Sequence, residues 1–303
     1  MQIYKELNKN PNLSLALGFF DGVHLGHKAV IESAVEFAKK NGNKSAVITF
    51  SDHPCCYFWG VCPQYILSRE AREEKIAQLG VDYLYELDFE SIAGLTAQDY
   101  LKDVLVNYFT PLSISTGWNH NFGCNKSGNV KILHNNSKKY GYEYFELTPQ
   151  KFNNEIISST TIRKLLAKGN IEKANAMLDY KFFIKGKIVK GNQIGRKIGF
   201  KTANLEYPPE LINLPFGVYS VDVTFQSTPS TVKHKAIANF GTRPTVNGSR
   251  AILEVHILDF DKDIYGEAII VEFNKMIRPE RKFASLDALK SQIEFDIKSL
   301  QSK

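Results

Sequence analysis

The 303-residue sequence has no apolar run approaching the ~20 residues of a membrane span, and its N-terminus carries no signal-peptide hydrophobic region. The protein is therefore expected to be cytoplasmic, with no membrane partner. Cysteine is scarce: Cys55, Cys56, Cys62 and Cys124 do not resemble a disulfide framework in a chain this long. Adjacent Cys55 and Cys56 lack a C-x-x-C bite, so reduced thiols are expected. No Gly-Lys-Ser/Thr, no G-x-G-x-x-G after a strand and no H-E-x-x-H occurs, which excludes a Walker P-loop, a Rossmann dehydrogenase fingerprint and a zincin site. No Lys/Arg run is long enough to be a nucleic-acid arm, although the net charge is +6. That excess fits a protein handling phosphorylated small molecules, and nucleic acid is not expected as a partner.

What is present is an ordinary globular composition, 43% hydrophobic and 23% charged, in a chain long enough for two cores. The most informative stretch runs Leu17-Gly18-Phe19-Phe20-Asp21-Gly22-Val23-His24-Leu25-Gly26-His27. It follows the apolar run Leu13 to Leu17, read as a buried strand, and leads into Lys28 to Lys40, where Ala29, Val30, Ile31, Ala34, Val35 and Ala38 have helical spacing. A strand, a glycine turn and a helix N-terminus gather unpaired backbone N–H groups and the positive end of a helix dipole, and Gly22 and Gly26 would let an anion approach the main chain. His24 and His27 add donors that can follow charge on a transferring phosphoryl group; the pair could alternatively hold a metal.

Further strands are predicted at Lys44 to Phe50, Tyr83 to Leu87, Ser113 to Thr116 and Glu143 to Leu147, with helices at about Ser68 to Leu79 and from Thr96 on to Tyr108. This alternation predicts a doubly wound parallel sheet whose ligands sit beyond the strand C-terminal ends. The polar, glycine-bearing loop Gly117 to Asn129 lies at such an end and is read either as a solvated turn or as a ligand loop. Ser159 can cap a helix running to about Lys168, ended by Gly169; Ser159 and Thr160, with Arg163 one turn on, would equally make a second phosphate cradle. A short helix, Ile171 to Leu178, is read as the link between domains. Beyond Tyr180 strands follow one another without helices, at Phe182 to Lys190, Gly217 to Phe225, Ala236 to Phe240, Ala251 to Leu258 and Ala268 to Phe273, which predicts an antiparallel sheet or small barrel, and a helix from about Ser285 closes the chain.

Read as Gly-x-Phe-Asp-Gly-Val-His-x-Gly-His, the first stretch resembles the nucleotidyltransferase motif of bacterial bifunctional riboflavin kinase/FMN adenylyltransferases, the FAD synthetases. Ile157 to Arg163 resembles that family's Ser-Ser-Thr-x-Ile-Arg element, and Gly117, Asn119, Phe122 and Gly123 its Gly-x-Asp/Asn-Phe-x-Phe-Gly element, with His120 where Phe is usual and Lys126 where Arg is usual. The resemblance implies an α/β nucleotidyltransferase-like domain over residues 1–180. It places Gly18, Phe19, Asp21, Gly22, Gly26, Ser159 and Thr160 at the ATP phosphates, His24, His27 and Arg163 in catalysis, and Asn119 and Phe122 at the flavin.

A second set of motifs lies in 181–303, which the resemblance makes a riboflavin-kinase-like β-barrel domain. Gly191 to Asn204 resembles a riboflavin kinase loop ending Gly-x-Pro-Thr-Ala-Asn, with Lys201 in place of Pro. It implies ATP contacts from Gly191, Gly195, Arg196 and Gly199. Thr202 and Asn204, two residues apart in an extended segment, can present oxygens to one side and suit Mg²⁺. Leu253-Glu254-Val255-His256 implies Glu254 as the base for an attacking alcohol, and Arg278 to Phe283 implies flavin contacts from Arg278 and Phe283. The expected substrates and products are riboflavin, FMN, FAD and ATP, with Mg²⁺; self-association is compatible with this reading. Two alternatives stand beside it: an adenylyltransferase whose kinase is impaired by Lys201, and an RNA-binding protein without turnover.

Overall fold

The computed structural model describes residues 1–189, 199–227, 232–245 and 248–301, and they form two compact units, Met1–Thr161 and Ile162–Lys303. The first is built on β1 (Gln2–Tyr4), β2 (Leu13–Leu17), α1 (Leu25–Asn41), β3 (Lys44–Phe50), α2 (Pro54–Trp59), α3 (Arg69–Gln78) and β4 (Tyr83–Leu87). Then come α4 (Ala97–Asp99), a π-helical stretch Tyr100–Val106 and α5 (Asn107–Phe109), followed by β5 (Ser113–Gly117), β6 (Asn121–Phe122), β7 (Gly128–Asn129), α6 (Val130–Tyr140) and β8 (Glu143–Leu147). A two-stranded ribbon, β9 (Lys151–Phe152) and β10 (Glu155–Ile156), precedes α7 (Ser159–Leu166).

The main sheet has the order β1-β4-β3-β2-β5-β8, and every neighbouring pair is parallel. From β2 the chain moves outward to β3 and β4, then returns to β5 on the other side of β2. The order therefore reverses between β2 and β5, and a ligand crevice is expected beyond their carboxyl ends. Leu13, Leu15 and Leu17 face a core shared with Tyr100, Leu101, Val104, Leu105 and Phe109. The other face is covered by α1, which buries Val30, Ile31, Ala34, Val35 and Ala38, and Ser33 Oγ lies 3.0 Å from Ser115 Oγ. Burial on both faces is why β2 and β3 read as continuous apolar runs.

The second unit carries α8 (Ile171–Leu178), β11 (Phe183–Val189), β12 (Ala203–Glu206), β13 (Gly217–Phe225), β14 (His234–Thr245), β15 (Gly248–Ile257), β16 (Ala268–Pro279) and α9 (Leu286–Gln301). Its strands close into an antiparallel barrel in the order β11-β12-β15-β14-β13-β16, with β16 returning to β11. Alternate residues, among them Leu205, Leu253, Val255, Ala238, Phe240, Tyr219 and Val271, are fully or almost fully buried and fill it. Asn175 ties α8 to this barrel, its Nδ2 donating to the Phe273 carbonyl at 2.8 Å while its Oδ1 accepts the Phe182 N–H at 2.8 Å. Among the described residues no helix is long and apolar enough to cross a membrane.

Several elements differ from expectation. Cys56 and Cys62 are joined in a disulfide, which corrects the expectation of reduced thiols; Cys55 and Cys124 are free. α2 begins at Pro54 with His53 as its N-cap, and α2, β1 and α6 are elements beyond those expected. Ser158, not Ser159, supplies the cap of α7: its Oγ accepts the Thr161 N–H at 3.1 Å. Ser159 Oγ instead donates to the Asp21 carbonyl at 2.9 Å, which joins the start of α7 to the glycine turn.

Candidate active site

The turn after β2 is held in a conformation that few residues adopt. Phe20 (φ +59°), Gly22 (φ +82°) and Val23 (φ +34°) all lie in the left-handed region, and positive φ at a β-branched, fully buried Val is a local strain of the kind that collects at functional sites. At Gly22 a side chain would also meet Ile66 at 2.9 Å. Asp21 is 2% exposed, and its carboxylate accepts the Ile66 N–H at 3.0 Å and the Leu67 N–H at 3.4 Å. Its role in the turn is thus to fasten it to the 66–67 segment.

His24 is the N-cap of α1, buried, with Nδ1 accepting the His27 N–H at 3.3 Å. That bond leaves the proton of the neutral ring on Nε2, so His24 is poised as a donor from that atom. The His24 and His27 rings stack 3.6 Å apart at 19°, and Phe20 meets His27 edge-on at 5.3 Å. Stacked faces do not converge two nitrogens on one ion, which favours the donor reading over the metal one. The first-turn amides of α1 and the positive end of a 17-residue helix lie at the same place.

Behind the turn lies a buried ionic network that sequence reasoning missed. Glu86 on β4 is 1% exposed and receives Arg72 Nη2 at 2.9 Å and Arg69 Nε at 2.8 Å. Arg72, 4% exposed, also donates to the carbonyls of Phe19 at 3.2 Å and Phe50 at 3.0 Å, and its guanidinium lies 4.6 Å from the Phe19 ring centroid. Thr49 Oγ1 donates to the same Phe19 carbonyl at 3.1 Å. The only signals in the sequence were a Glu inside an apolar strand and an Arg on a polar helix. Glu86→Ala is expected to destabilise the protein by about 3–5 kcal/mol, because it strips a buried guanidinium of its counter-charge; denaturant unfolding of variant and parent checks this.

The loop after β5 places Asn119 and Phe122 differently. Asn119 is exposed, whereas Phe122 is 9% exposed, belongs to the core cluster and packs against Tyr100 at 5.7 Å. His120 stacks on Phe122 at 5.8 Å, and its Nε2 is buried without a hydrogen-bond partner. Burial lowers its pKa to about 4, so the imidazole is neutral at neutral pH. The unfolded chain, with an ordinary His pKa near 6.5, then binds more protons than the folded one between those values. Stability is therefore lost as pH falls from about 6.5 to about 4, by at most about 3 kcal/mol from this residue. His120→Phe is expected to remove that part of the acid sensitivity, read as a smaller fall in unfolding free energy between pH 7 and pH 4.5.

In the barrel, Thr202 and Asn204 line a cavity of about 280 Å³, with Lys201, Phe260, Asp261 and Tyr265 among its other walls. Lys201 Nζ pairs with the Asp261 carboxylate, and the His256 Nδ1–H donates to the Lys201 carbonyl at 2.8 Å. Asn204 opposes Glu254 across β12 and β15, and Glu254 opposes Asn239 across β15 and β14. Directly opposed residues share a face, so Asn204, Glu254 and Asn239 form one polar row. Thr202 and Asn204 offer hard oxygen donors beside the cavity, a set that fits Mg²⁺. Gly191, Gly195 and Arg196 lie outside the described residues; Gly199 lies within them. Arg278 Nε donates to Asp296 Oδ2 at 2.9 Å, fastening β16 to α9, and the Phe283 ring sits 5.5 Å from the Arg278 guanidinium and 4.9 Å from that of Arg281.

Two family models match the chain, FAD synthetase over residues 6–161 and riboflavin kinase over 178–303. The chain is 36% identical over 292 residues to a bifunctional riboflavin kinase/FMN adenylyltransferase of Listeria monocytogenes, covering 94% of this chain and 90% of the relative. It is also 36% identical over 284 residues to one from Escherichia coli K12, covering 93% and 90%, and 34% identical over 291 residues to one from Haemophilus influenzae, covering 95% and 93%. A crystal structure described as a macrolide-efflux protein from Streptococcus pneumoniae superposes with a TM-score of 0.89 at 32% identity, over all of both chains. With both halves matched in order and the relatives covered nearly end to end, the chain belongs to the bifunctional riboflavin kinase/FMN adenylyltransferase family.

Proposed function

We infer that the chain catalyses two successive ATP-dependent transfers, riboflavin to FMN in the barrel and FMN to FAD with release of pyrophosphate in the α/β domain. The observation that carries this reading is the His24–His27 turn on a helix N-terminus next to the sheet's switch point, in one chain with a polar-rimmed barrel cavity. A domain boundary near residue 180 and action in the cytoplasm complete the proposal. Flavins and ATP are the partners it names; nucleic acid and membranes have no part in it, and self-association is compatible with it.

For adenylyl transfer, the FMN phosphate attacks the ATP α-phosphate and pyrophosphate leaves. The nucleophile is already anionic, so no base is required; catalysis rests on placing the two phosphates and on donors aimed at the developing charge. The Gly18–Asp21 turn and the amides of α1 hold the phosphates, His24 Nε2–H and His27 donate to them, and Ser159, Thr160 and Arg163 on α7 supply the second cradle. Asn119 is the flavin contact of the loop after β5, and Phe122 acts by shaping that loop from beneath.

For the kinase step an alcohol must lose its proton as it attacks the ATP γ-phosphate, and Glu254 accepts that proton. Thr202 and Asn204 would hold Mg²⁺, which when bound neutralises charge on the ATP phosphates. Gly191, Gly195, Arg196 and Gly199 contact those phosphates, and Arg278 and Phe283 border the flavin. The test is to incubate purified protein with ATP, Mg²⁺ and either riboflavin or FMN and separate the flavins by chromatography. FAD from both mixtures, with transient FMN in the first, is expected. FAD from FMN alone would leave only the adenylyltransferase, and no conversion in either would overturn the reading.

A further inference from the structure

The Cys56–Cys62 disulfide spans six residues of sequence, and the segments it joins are the walls of the nucleotide turn. His53 caps α2 by accepting the Cys55 N–H on Nδ1 at 3.1 Å, and its ring meets Phe19 edge-on at 4.8 Å. The His53 N–H donates to the Tyr65 hydroxyl at 3.3 Å, and that hydroxyl lies 3.5 Å from Cys56 Sγ. The Tyr65 ring is 5.9 Å from Phe19, and the next two residues, Ile66 and Leu67, hold the Asp21 carboxylate. Phe19 and Asp21 are thus supported from both sides of one cross-link.

Apart from edge-on contacts of Tyr57 and Phe58 with the Phe89 ring, at 5.8 and 5.5 Å, α2 itself packs loosely. α2 has six residues and buries none of them; Tyr57, Phe58, Trp59 and Val61 are 51–74% exposed. A helix of that length does not persist without external restraint. Cys62 is exposed, so its sulfur is open to a soluble thiol. In a reducing compartment a disulfide of this kind is transient and redox-responsive rather than a permanent staple.

We propose that Cys56 and Cys62 are a redox modification site that sets the affinity of the adenylyl-transfer centre for ATP; this rests on the adenylyl-transfer reading of the turn. The reductant is a dithiol. One of its thiolates attacks Cys62 Sγ, the Cys56–Cys62 bond breaks, and Cys56 leaves as a thiolate and takes up a proton. The second thiol of the reductant, having lost its proton, then attacks its own mixed-disulfide sulfur and releases Cys62, which is protonated in turn. Two electrons and two protons pass to the protein, and the dithiol ends as its disulfide. With the cross-link open, α2 loosens, and His53 and Tyr65 no longer hold Phe19.

The experiment uses the full-length protein equilibrated in reduced or oxidised dithiothreitol, with free thiols counted by alkylation and mass spectrometry. Two thiols, Cys55 and Cys124, are expected in the oxidised protein and all four cysteines as thiols in the reduced one. Reduction is expected to raise the KM for ATP in FAD formation by about fivefold or more, with riboflavin phosphorylation in the same samples changing by less than about twofold. Cys56→Ser and Cys62→Ser should each show the reduced-state KM in both buffers, and Cys55→Ser should keep the response. Four thiols under oxidising conditions, or a reversible change of thiol count with an unaltered KM, would overturn the proposal. The thiol count needs no turnover and the wild-type comparison needs no variant, so a failed switch is distinguishable from a mistaken reaction.

Discussion

His24→Asn is expected to lower FAD formation by about 10²–10³-fold while FMN formation from riboflavin is unchanged. The substitution separates two things that His24 does. Its Nδ1 caps α1 by accepting the His27 N–H, and Asn offers an oxygen for the same bond, so the helix start is preserved to within about 1 kcal/mol. Asn cannot reproduce the Nε2–H on the far side of the ring, and it ends the stacking on His27. His27→Ala keeps the cap and removes the other ring, so it should fall in the same direction. Steady-state rates for both products on one preparation decide the matter. Equal loss of FMN and FAD formation in a folded variant would contradict two separate centres.

How far such roles can be read in advance depends on where the information lies. β2, β3 and β4 match the predicted strands to the residue because parallel strands buried on both faces leave apolar runs with sharp ends; β8, an edge strand with no buried residue, also keeps its predicted bounds. β1 is three residues at a sheet edge, mostly exposed, and leaves no such run. α2 buries none of its residues and α6 only Leu133, so neither presents a broad buried stripe of the kind that marks α1. Their caps were the readable signal: His53 with Pro54 and then Gly60, and Asn129 followed by Gly141. The stretch Tyr100–Val106 showed its helical face, but a π-helical bond pattern has no counterpart in the spacing of apolar residues.

The sites divide in the same way. The backbone turn at Gly18–His27 was legible because glycines and histidines at fixed spacing imply a local geometry. The Glu86–Arg72 pair and the seating of Phe122 in the core depend on partners brought together by the fold, and no local pattern announces them; the Cys56–Cys62 bond is local, joining α2 to the loop that follows it, but without a C-x-x-C spacing to mark it. Ser158 and Ser159 show the finer limit: both are plausible caps in a Ser-Ser-Thr-Thr run, and only the approach of the Asp21 carbonyl assigns one to the helix and the other to the turn.

Glu254→Gln is expected to lower riboflavin phosphorylation by about 10²–10⁴-fold and to leave conversion of supplied FMN to FAD intact. Gln fills the same volume and can still hydrogen-bond within the polar row formed with Asn204 and Asn239, so the barrel wall is preserved. What it lacks is the basicity to take the proton of the attacking alcohol. Loss of kcat with little change in the KM for ATP would identify a group acting on the reacting hydroxyl, because uniform binding would be untouched. Thr202→Ala gives the contrasting expectation. It removes one hard oxygen beside the cavity, so its defect should appear as a raised Mg²⁺ requirement and be partly rescued by excess Mg²⁺, whereas the Glu254→Gln defect should not respond to the ion. If both variants responded alike to Mg²⁺, Glu254 would belong to the ion's shell rather than to proton transfer.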